Sequence, residues 1–276
     1  MRLRLLVTLA MLAFAGNSLL CRLAFQTTRV DAATFTSVRL AAGALTLWLL
    51  LRARVPAGGG RQRWQAAGAL FIYAATFSFA YRGLTAATGA LLLFGAVQVT
   101  MVAAGFLRGE GVRPLQALGF VLAAGGLVAL LLPGLASPSL SSAALMLSAG
   151  IAWGVYSLLG RREADPVGAT AGNFLCATPF ALILWLVFMR SASLDAAGLA
   201  LAALSGSLTS ALGYVVWYRT LPSLRTVQAA SVQLCVPVIT ALGGVLLLGE
   251  SIHLRLIACA VVILGGIALT LLPRSA

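Results

Sequence analysis

The chain has 276 residues, 61% of them hydrophobic and only 9% charged, with a mean hydropathy of +1.02. Those values exclude a water-soluble globular domain, which needs a charged exterior. The formal net charge is +13 and every basic residue is Arg, nearly all standing singly or in pairs between apolar runs, which is a topology signal rather than a nucleic-acid footprint.

Taken in chain order, apolar runs long enough to cross the hydrocarbon core lie near Leu5 to Phe25, Thr34 to Leu51, Trp64 to Tyr81, Thr88 to Leu107 and Leu115 to Leu132. Five more lie near Leu140 to Gly160, Ala169 to Met189, Ala197 to Tyr218, Thr226 to Leu248 and Ile252 to Leu272. Their Leu- and Ala-rich composition, without alternation, predicts helices and not barrel strands. The fold class expected is therefore an all-α integral membrane protein of ten transmembrane helices. Short loops predict antiparallel neighbours.

With the N-terminus inside, inner segments hold Arg2, Arg4, Arg52, Arg54, Arg61, Arg63, Arg108, Arg113, Arg161, Arg162, Arg219, Arg225 and Arg274. The outer side holds Arg22, Arg29, Arg82, Arg190 and Arg255, so both termini are expected in the cytoplasm of a multi-pass inner-membrane protein. Cys21, Cys176, Cys235 and Cys259 all fall inside spans without metal-ligand spacing, and read as small packing residues.

An internal repeat organises the chain. Leu107, Gly109, Glu110, Val121, Gly125, Gly126, Leu131, Leu132 and Pro133 recur, at one ungapped offset, as Leu247, Gly249, Glu250, Val261, Gly265, Gly266, Leu271, Leu272 and Pro273. With small changes of offset, Tyr81-Arg82 and Leu84 match Tyr218-Arg219 and Leu221, and Ser18-Leu19-Leu20 with Arg22 matches Ser157-Leu158-Leu159 with Arg161. Met1 to Gly16 has the look of a secretory signal peptide, but its helix corresponds to the sixth, so it is expected to be a retained span. The repeats are residues 1–133 and 134–276. Five helices is an odd number, so the second repeat enters from the opposite side, the geometry of alternating access in transporters.

The blocks LRGEGVRPLQALGFVLAAGGLVALLLP and LLGESIHLRLIACAVVILGGIALTLLP resemble the two EamA-type repeats of the drug/metabolite transporter superfamily, and FAGNSLLCRLAF with the Arg39 helix resembles its opening pair. The resemblance covers essentially the whole chain. It implies ten helices in two inverted five-helix repeats, and in size and plan the chain is similar to the YddG-type amino-acid exporters. The family often places a Pro in the fourth helix of each repeat; here Pro237 fills it in the second half, as a possible hinge, whereas Val97 occupies the first.

Buried polar residues are costly in lipid, so those at mid-span either pack between helices or line a path. Asn17 in the first helix corresponds to Tyr156 in the sixth, with Trp153 one turn before it. Tyr73, Phe77 and Tyr81 form a stripe on the third helix, and Tyr214 and Tyr218 repeat part of it beside Trp217. Tyr81, Trp217 and Tyr218, near helix ends, are expected in an interfacial aromatic belt, whereas Tyr73, Phe77 and Tyr214 either line a cavity or pack. Gln98 and Gln233 are amides expected to face inward, to a solute or to backbone kinked near Pro237. Arg39 is charged and inside a span, near its outer end; it either snorkels outward, the expectation its position favours, or meets a carboxylate. Glu110 and Glu250 occupy equivalent turns and are expected to cap helices or pair with nearby Arg.

No catalytic, metal-binding or cofactor-binding set is present, so an enzyme is not expected. Asp31, Glu110, Glu163, Asp165, Asp195, Glu250 and His253 fall at loops or helix ends, which leaves no proton relay inside a span. The function expected is secondary transport of small amphipathic metabolites, amino acids with aromatic or apolar side chains above all, in the direction of export. The partners are then a small-molecule substrate and the bilayer, with no nucleic acid, and a monomer suffices. Alternatives are a multidrug or sugar-phosphate-like carrier of the same superfamily, or a structural membrane protein.

Overall fold

A computed structural model describes residues 2–51, 60–107, 114–132, 138–160, 163, 165–224, 229 and 232–270. Among these the chain runs as ten helical rods. The first half has α1 (Arg2–Thr27), α2 (Ala32–Leu50), α3 (Arg61–Tyr81), α4 (Ala86–Leu107) and α5 (Pro114–Leu131). The second begins with α6 (Leu140–Gly160) and α7 (Pro166–Val187). The rod α8 is α-helical over Ala196–Leu204, π-helical over Ser205–Leu212 and α-helical again over Gly213–Thr220. Then come α9 (Cys235–Leu248) and α10 (Leu254–Thr270).

Local chemistry starts and stops these rods. Asp31 Oδ1 accepts from the Ala33 and Thr34 amides at 3.0 and 2.9 Å at the start of α2, and Asp165 and Asp195 cap α7 and α8 through the Gly168 and Gly198 amides. Pro166 stands at the start of α7, where its missing N–H costs nothing. α9 ends on Gly249 at φ 65°, a left-handed position that a side chain would strain, and the Glu250 amide returns to the Gly244 carbonyl at 3.0 Å. Pro237 lies in the first turn of α9, and the helix is interrupted at Leu234, as expected where a proline ring abuts the carbonyl four residues back.

Among the described residues, seven helical stretches are long and apolar enough to cross a membrane: Leu3–Thr27, Ala32–Leu50, Ala86–Gly105, Pro114–Leu131, Leu140–Gly160, Pro166–Val187 and Ala196–Ser223. This is fewer than the ten expected from the sequence. α3 opens on Arg61, Gln62, Arg63 and Gln65, which lowers its mean hydropathy, and α9 and α10 are shorter apolar helices. The exterior confirms the solvent: Leu246 and Leu254 are 79% and 80% exposed, alongside many other large apolar side chains. Each would forgo about 2 kcal/mol if it faced water, so lipid covers this surface and the protein is a multi-pass membrane protein.

The helix contacts have a pattern. α2 packs on α7 and α5 on α10; α3 packs on α6 and α7, as α8 packs on α1 and α2; α4 packs on α6, as α9 packs on α1. Every one of these pairs maps onto itself or onto its mate when helix n is exchanged for helix n+5. The same exchange holds at side-chain level between α5 and α10. A Cβ at Gly126 would press on Ile263, and one at Gly266 would press on the Ala123 amide, the two contacts corresponding at the offset that relates Gly109 to Gly249.

The four cysteines are free: Cys21 and Cys259 are buried, Cys176 is half-buried and Cys235 is exposed. Glu250 Oε1 pairs with Arg22 Nε at 2.7 Å and its Oε2 accepts from the Ala86 amide at 2.8 Å, so it ties the end of α1, the start of α4 and the α9–α10 turn together. Glu110, its counterpart in the first repeat, lies outside the described residues.

Candidate functional site

Four helices deliver polar groups to one point inside the bundle. Arg39, on α2, is 1% exposed. Its Nε–H donates to Ser210 Oγ at 3.0 Å, and Nη2 donates to the hydroxyls of Tyr73 at 3.2 Å and Tyr214 at 3.0 Å. The Tyr214 hydroxyl donates in turn to Tyr73 Oη at 3.2 Å. Asn17, on α1, donates from Nδ2 to the same Tyr73 oxygen at 2.9 Å, while its Oδ1 accepts from Ser205 Oγ at 2.7 Å and from Thr209 Oγ1 at 3.4 Å.

Arg39 therefore does not snorkel. Its expected outward course is overturned: α8 packs so close to α2 that a Cβ at Gly206 would overlap the Arg39 carbonyl, and hydroxyls on α3 and α8 take up the guanidinium inside the bundle. The charge stands 5.2 and 5.0 Å from the ring centres of Tyr73 and Phe77, within reach of a cation–π attraction. A charged side chain at the centre of a bilayer costs about 2.5–3.5 kcal/mol even on insertion scales, so these neutral partners offset a real penalty.

Beside the polar cluster runs a wall of rings. Trp153 on α6 lies 4.6 Å from Tyr214 and 5.0 Å from Tyr73, centroid to centroid. Phe14 on α1 meets Trp153 and Trp217 edge-on at 5.3 and 5.6 Å. Tyr156 continues the wall, 5.5 Å from Trp153, and stacks on Tyr218 at 5.3 Å. Asn17, Arg39, Tyr73, Phe77, Trp153, Tyr156 and Tyr214 thus form one continuous cluster drawn from both halves of the chain.

The remaining residues singled out by sequence sit around it. Gln233 is buried and accepts from Trp153 Nε1 at 3.5 Å, while its Nε2 donates to the Ala229 carbonyl at 3.2 Å. Gln98 is buried on α4. Tyr81, Trp217 and Tyr218 do not form an interfacial belt: they are 0%, 0% and 1% exposed. Neighbouring helices cover them, because glycines leave the room; a Cβ on Gly89 would meet the Tyr81 ring, and one on Gly160 the Tyr218 ring. Tyr218 donates to the Tyr156 carbonyl at 3.1 Å.

Sequence reasoning does not single out Ser205, Thr209 or Ser210, nor Asn173, whose Nδ2 lies 3.5 Å from Tyr156 Oη. The available signal is the spacing: Ser205 and Thr209 are four residues apart, with Ser210 adjacent, in a run from 196 to 212 that is otherwise Ala, Leu and Gly apart from Ser207. The π-helical stretch carries all three. Its wider turn places Ser205, Thr209 and Ser210 within reach of the same Asn17 carbonyl oxygen.

Many apolar helices around a buried polar and aromatic core define a multi-pass membrane protein. The model of the EamA-like transporter family matches residues 140–272, which form a domain of that family, within the drug/metabolite transporter superfamily. The chain is 58% identical over 271 residues to the uncharacterized protein PA1977 of Pseudomonas aeruginosa, across 98% of this chain and 94% of that one. It is also 25% identical over 281 residues to an uncharacterized transporter of Archaeoglobus fulgidus, across 96% of each. A crystal structure of a protein at 21% identity superposes with a TM-score of 0.70 over 97% of this chain and 96% of its own, a likeness of fold alone.

Proposed function

We propose that the protein is a secondary transporter that carries small amphipathic metabolites across the bacterial inner membrane by alternating access. Amino acids with aromatic or apolar side chains are the favoured class and export the working direction, following the resemblance to YddG-type exporters. The observation that carries the reading is the pairing of a buried cation, Arg39, with an aromatic wall of Tyr73, Phe77, Trp153 and Tyr214. A carboxylate suits the first and an apolar body the second.

The exchange of contacts between helices n and n+5 supports ten spans in two inverted repeats, residues 1–133 and 134–276, and the Arg distribution supports cytoplasmic termini. In the described conformation the rings pack on one another across the cluster, which suits a closed state between inward and outward openings. Pro237, beside the interruption at Leu234, is a hinge position.

Purified protein in liposomes, offered amino acids, amines and sugar phosphates, tests the reading. Amino acids are expected to enter; movement of sugar phosphates alone would sink it. Asn17→Ala and Tyr156→Ala are expected to lower transport in protein that still folds. Among the described residues no Asp, Glu or His lies within a span, so flux is expected to follow the solute gradient and survive an uncoupler.

A further inference from the structure

The groups around Arg39 are rich in hydrogen-bond donors and carry no negative charge to match it. Nη1 of Arg39 is buried and has no hydrogen-bond partner among the described residues. Nη2 and Nε donate only to neutral hydroxyl oxygens, those of Tyr73, Tyr214 and Ser210. Tyr73 Oη receives donors from Asn17, Arg39 and Tyr214 at once, three on an oxygen with two lone pairs. The Asn17 carbonyl oxygen, the remaining acceptor nearby, is taken by Ser205.

The acidic groups of the described residues are committed elsewhere. Among the described residues, Asp31, Asp165 and Asp195 cap helix starts, Glu163 accepts from Gln62 at 3.0 Å, and Glu250 is held by Arg22 and the Ala86 amide. The cluster's formal charge is therefore that of one guanidinium. A zwitterion would bring an ammonium group into a site whose only charge is positive, with no carboxylate to receive it, in surroundings of low dielectric where that repulsion is weakly screened. A dianion would leave one of its charges without a partner. A single carboxylate balances the site and supplies the missing acceptors, one oxygen on Nη1 and the other on a tyrosine hydroxyl.

We propose that this site takes its solute as a monoanion: a small carboxylate with an apolar or aromatic body and no ammonium group, held by Arg39, Tyr73 and Tyr214 with its body along Phe77 and Trp153. The inference rests on the reading of this cluster as the transport site, and within the small amphipathic metabolites proposed above it moves the preferred solute from amino acids to carboxylates that lack the amine.

The test uses the full chain in sealed proteoliposomes and three molecules with one skeleton. Phenylpropanoate carries a carboxylate alone, phenylalanine carries both groups, and phenethylamine carries an ammonium alone. Phenylpropanoate is expected to enter at least about tenfold faster than phenylalanine at equal concentration, a difference of about 1.4 kcal/mol. An inside-positive diffusion potential is expected to speed its entry, since net negative charge moves inward, and to leave phenylalanine unchanged. Arg39→Gln should abolish the preference and Arg39→Lys should keep part of it, which separates loss of the charge from loss of the fold. Phenylalanine entering as fast as phenylpropanoate, or phenylpropanoate entry indifferent to the potential, overturns the inference while leaving transport standing. If none of the three enters vesicles holding folded protein, the transport reading falls and the inference with it.

Discussion

The Arg39 guanidinium on α2 and the Tyr214 hydroxyl on α8 meet at 3.0 Å inside the bundle, joining the two halves of the chain through a buried charge. Because every partner of Arg39 is neutral, each one carries an appreciable share of its solvation. Tyr214→Phe removes one acceptor, and is expected to cost about 1–3 kcal/mol. Tyr73→Phe should cost more, because its oxygen also receives Asn17 at 2.9 Å. Thermal unfolding of both variants in detergent gives the order; Tyr73→Phe as stable as wild type would show that the guanidinium finds its solvation elsewhere.

The Arg22–Glu250 pair makes a different kind of link. Their side chains are 20% and 8% exposed, and Glu250 spends its second oxygen on the Ala86 amide while Arg22 Nη1 donates to the Tyr81 carbonyl at 3.3 Å. A double-mutant cycle with Arg22→Gln and Glu250→Gln is expected to return a coupling of about 1–3 kcal/mol, above that of an exposed pair. Glu250→Gln should be the less harmful change, because an amide oxygen still accepts from Ala86. A coupling near zero would mean that the backbone bonds, and not the ion pair, hold this end shut.

Much of this architecture is legible in the sequence, for physical reasons that also mark where legibility ends. Apolar length gives the helices, and an Asp two or three residues ahead of a helical amide gives the caps at Asp31, Asp165 and Asp195, because both are local. The matched Gly-Glu turns single out Glu250, but only packing reveals that its partner is Arg22. The direction of Arg39 is not local: a side chain near a span's end can turn out or in, and the hydroxyls that α3 and α8 bring beside it are set by packing. Tyr81 and Tyr218 lie at helix ends and read as interfacial, yet Gly89 and Gly160 let neighbouring helices cover them. Ser205, Thr209 and Ser210 look like small packing residues because their convergence on Asn17 depends on a π-helical register that composition does not announce.

Asp31 gives the fold a dependence on acid. Burial alone would raise its carboxyl pKa, but bonds from Thr34, Ser193 and Ala33 outweigh it and hold the group below its usual value. A carboxylate whose folded pKa is depressed adds stability that is fully present above its unfolded pKa, about 3.9, and is lost as pH falls through the folded value. Stability should therefore drop below about pH 4 in wild type, with a shallower drop in Asp31→Asn. At neutral pH that variant should lose up to about 1 kcal/mol, since Asn still caps a helix. Identical acid profiles for the two proteins would remove Asp31 from the account.

Gly206 tests the α2–α8 contact without touching a polar side chain. A Cβ there collides with the Arg39 backbone carbonyl, which cannot rotate away as a side chain would, and so the helices must separate. Gly206→Ala is expected to cost about 1–3 kcal/mol by overpacking. Separation would also loosen the Arg39–Ser210 bond, now 3.0 Å, so transport should fall further than stability alone explains. Gly206→Ala with unchanged melting and uptake would place the two helices farther apart in the membrane than this packing has them.

The π-helical stretch Ser205–Leu212 makes the sharpest separation between stability and function. A π-turn holds about one more residue than an α-turn, so α8 can be viewed as a regular helix carrying an insertion. Removing one residue should let the rod relax to α-helix while Ala196–Leu204 and Gly213–Thr220 keep their own register. Leu208 is the residue to remove, because it is 57% exposed and its side chain faces lipid. The deletion is expected to leave the melting temperature nearly unchanged, or to raise it, since the backbone gains better hydrogen bonds. It should nevertheless abolish uptake, because Thr209 and Ser210 would shift relative to Ser205, and the three could no longer converge on Asn17 and Arg39. A deletion variant that transports normally would show that the π register is incidental to the site; one that fails to fold would show that the insertion is part of how α8 fits between α1 and α2.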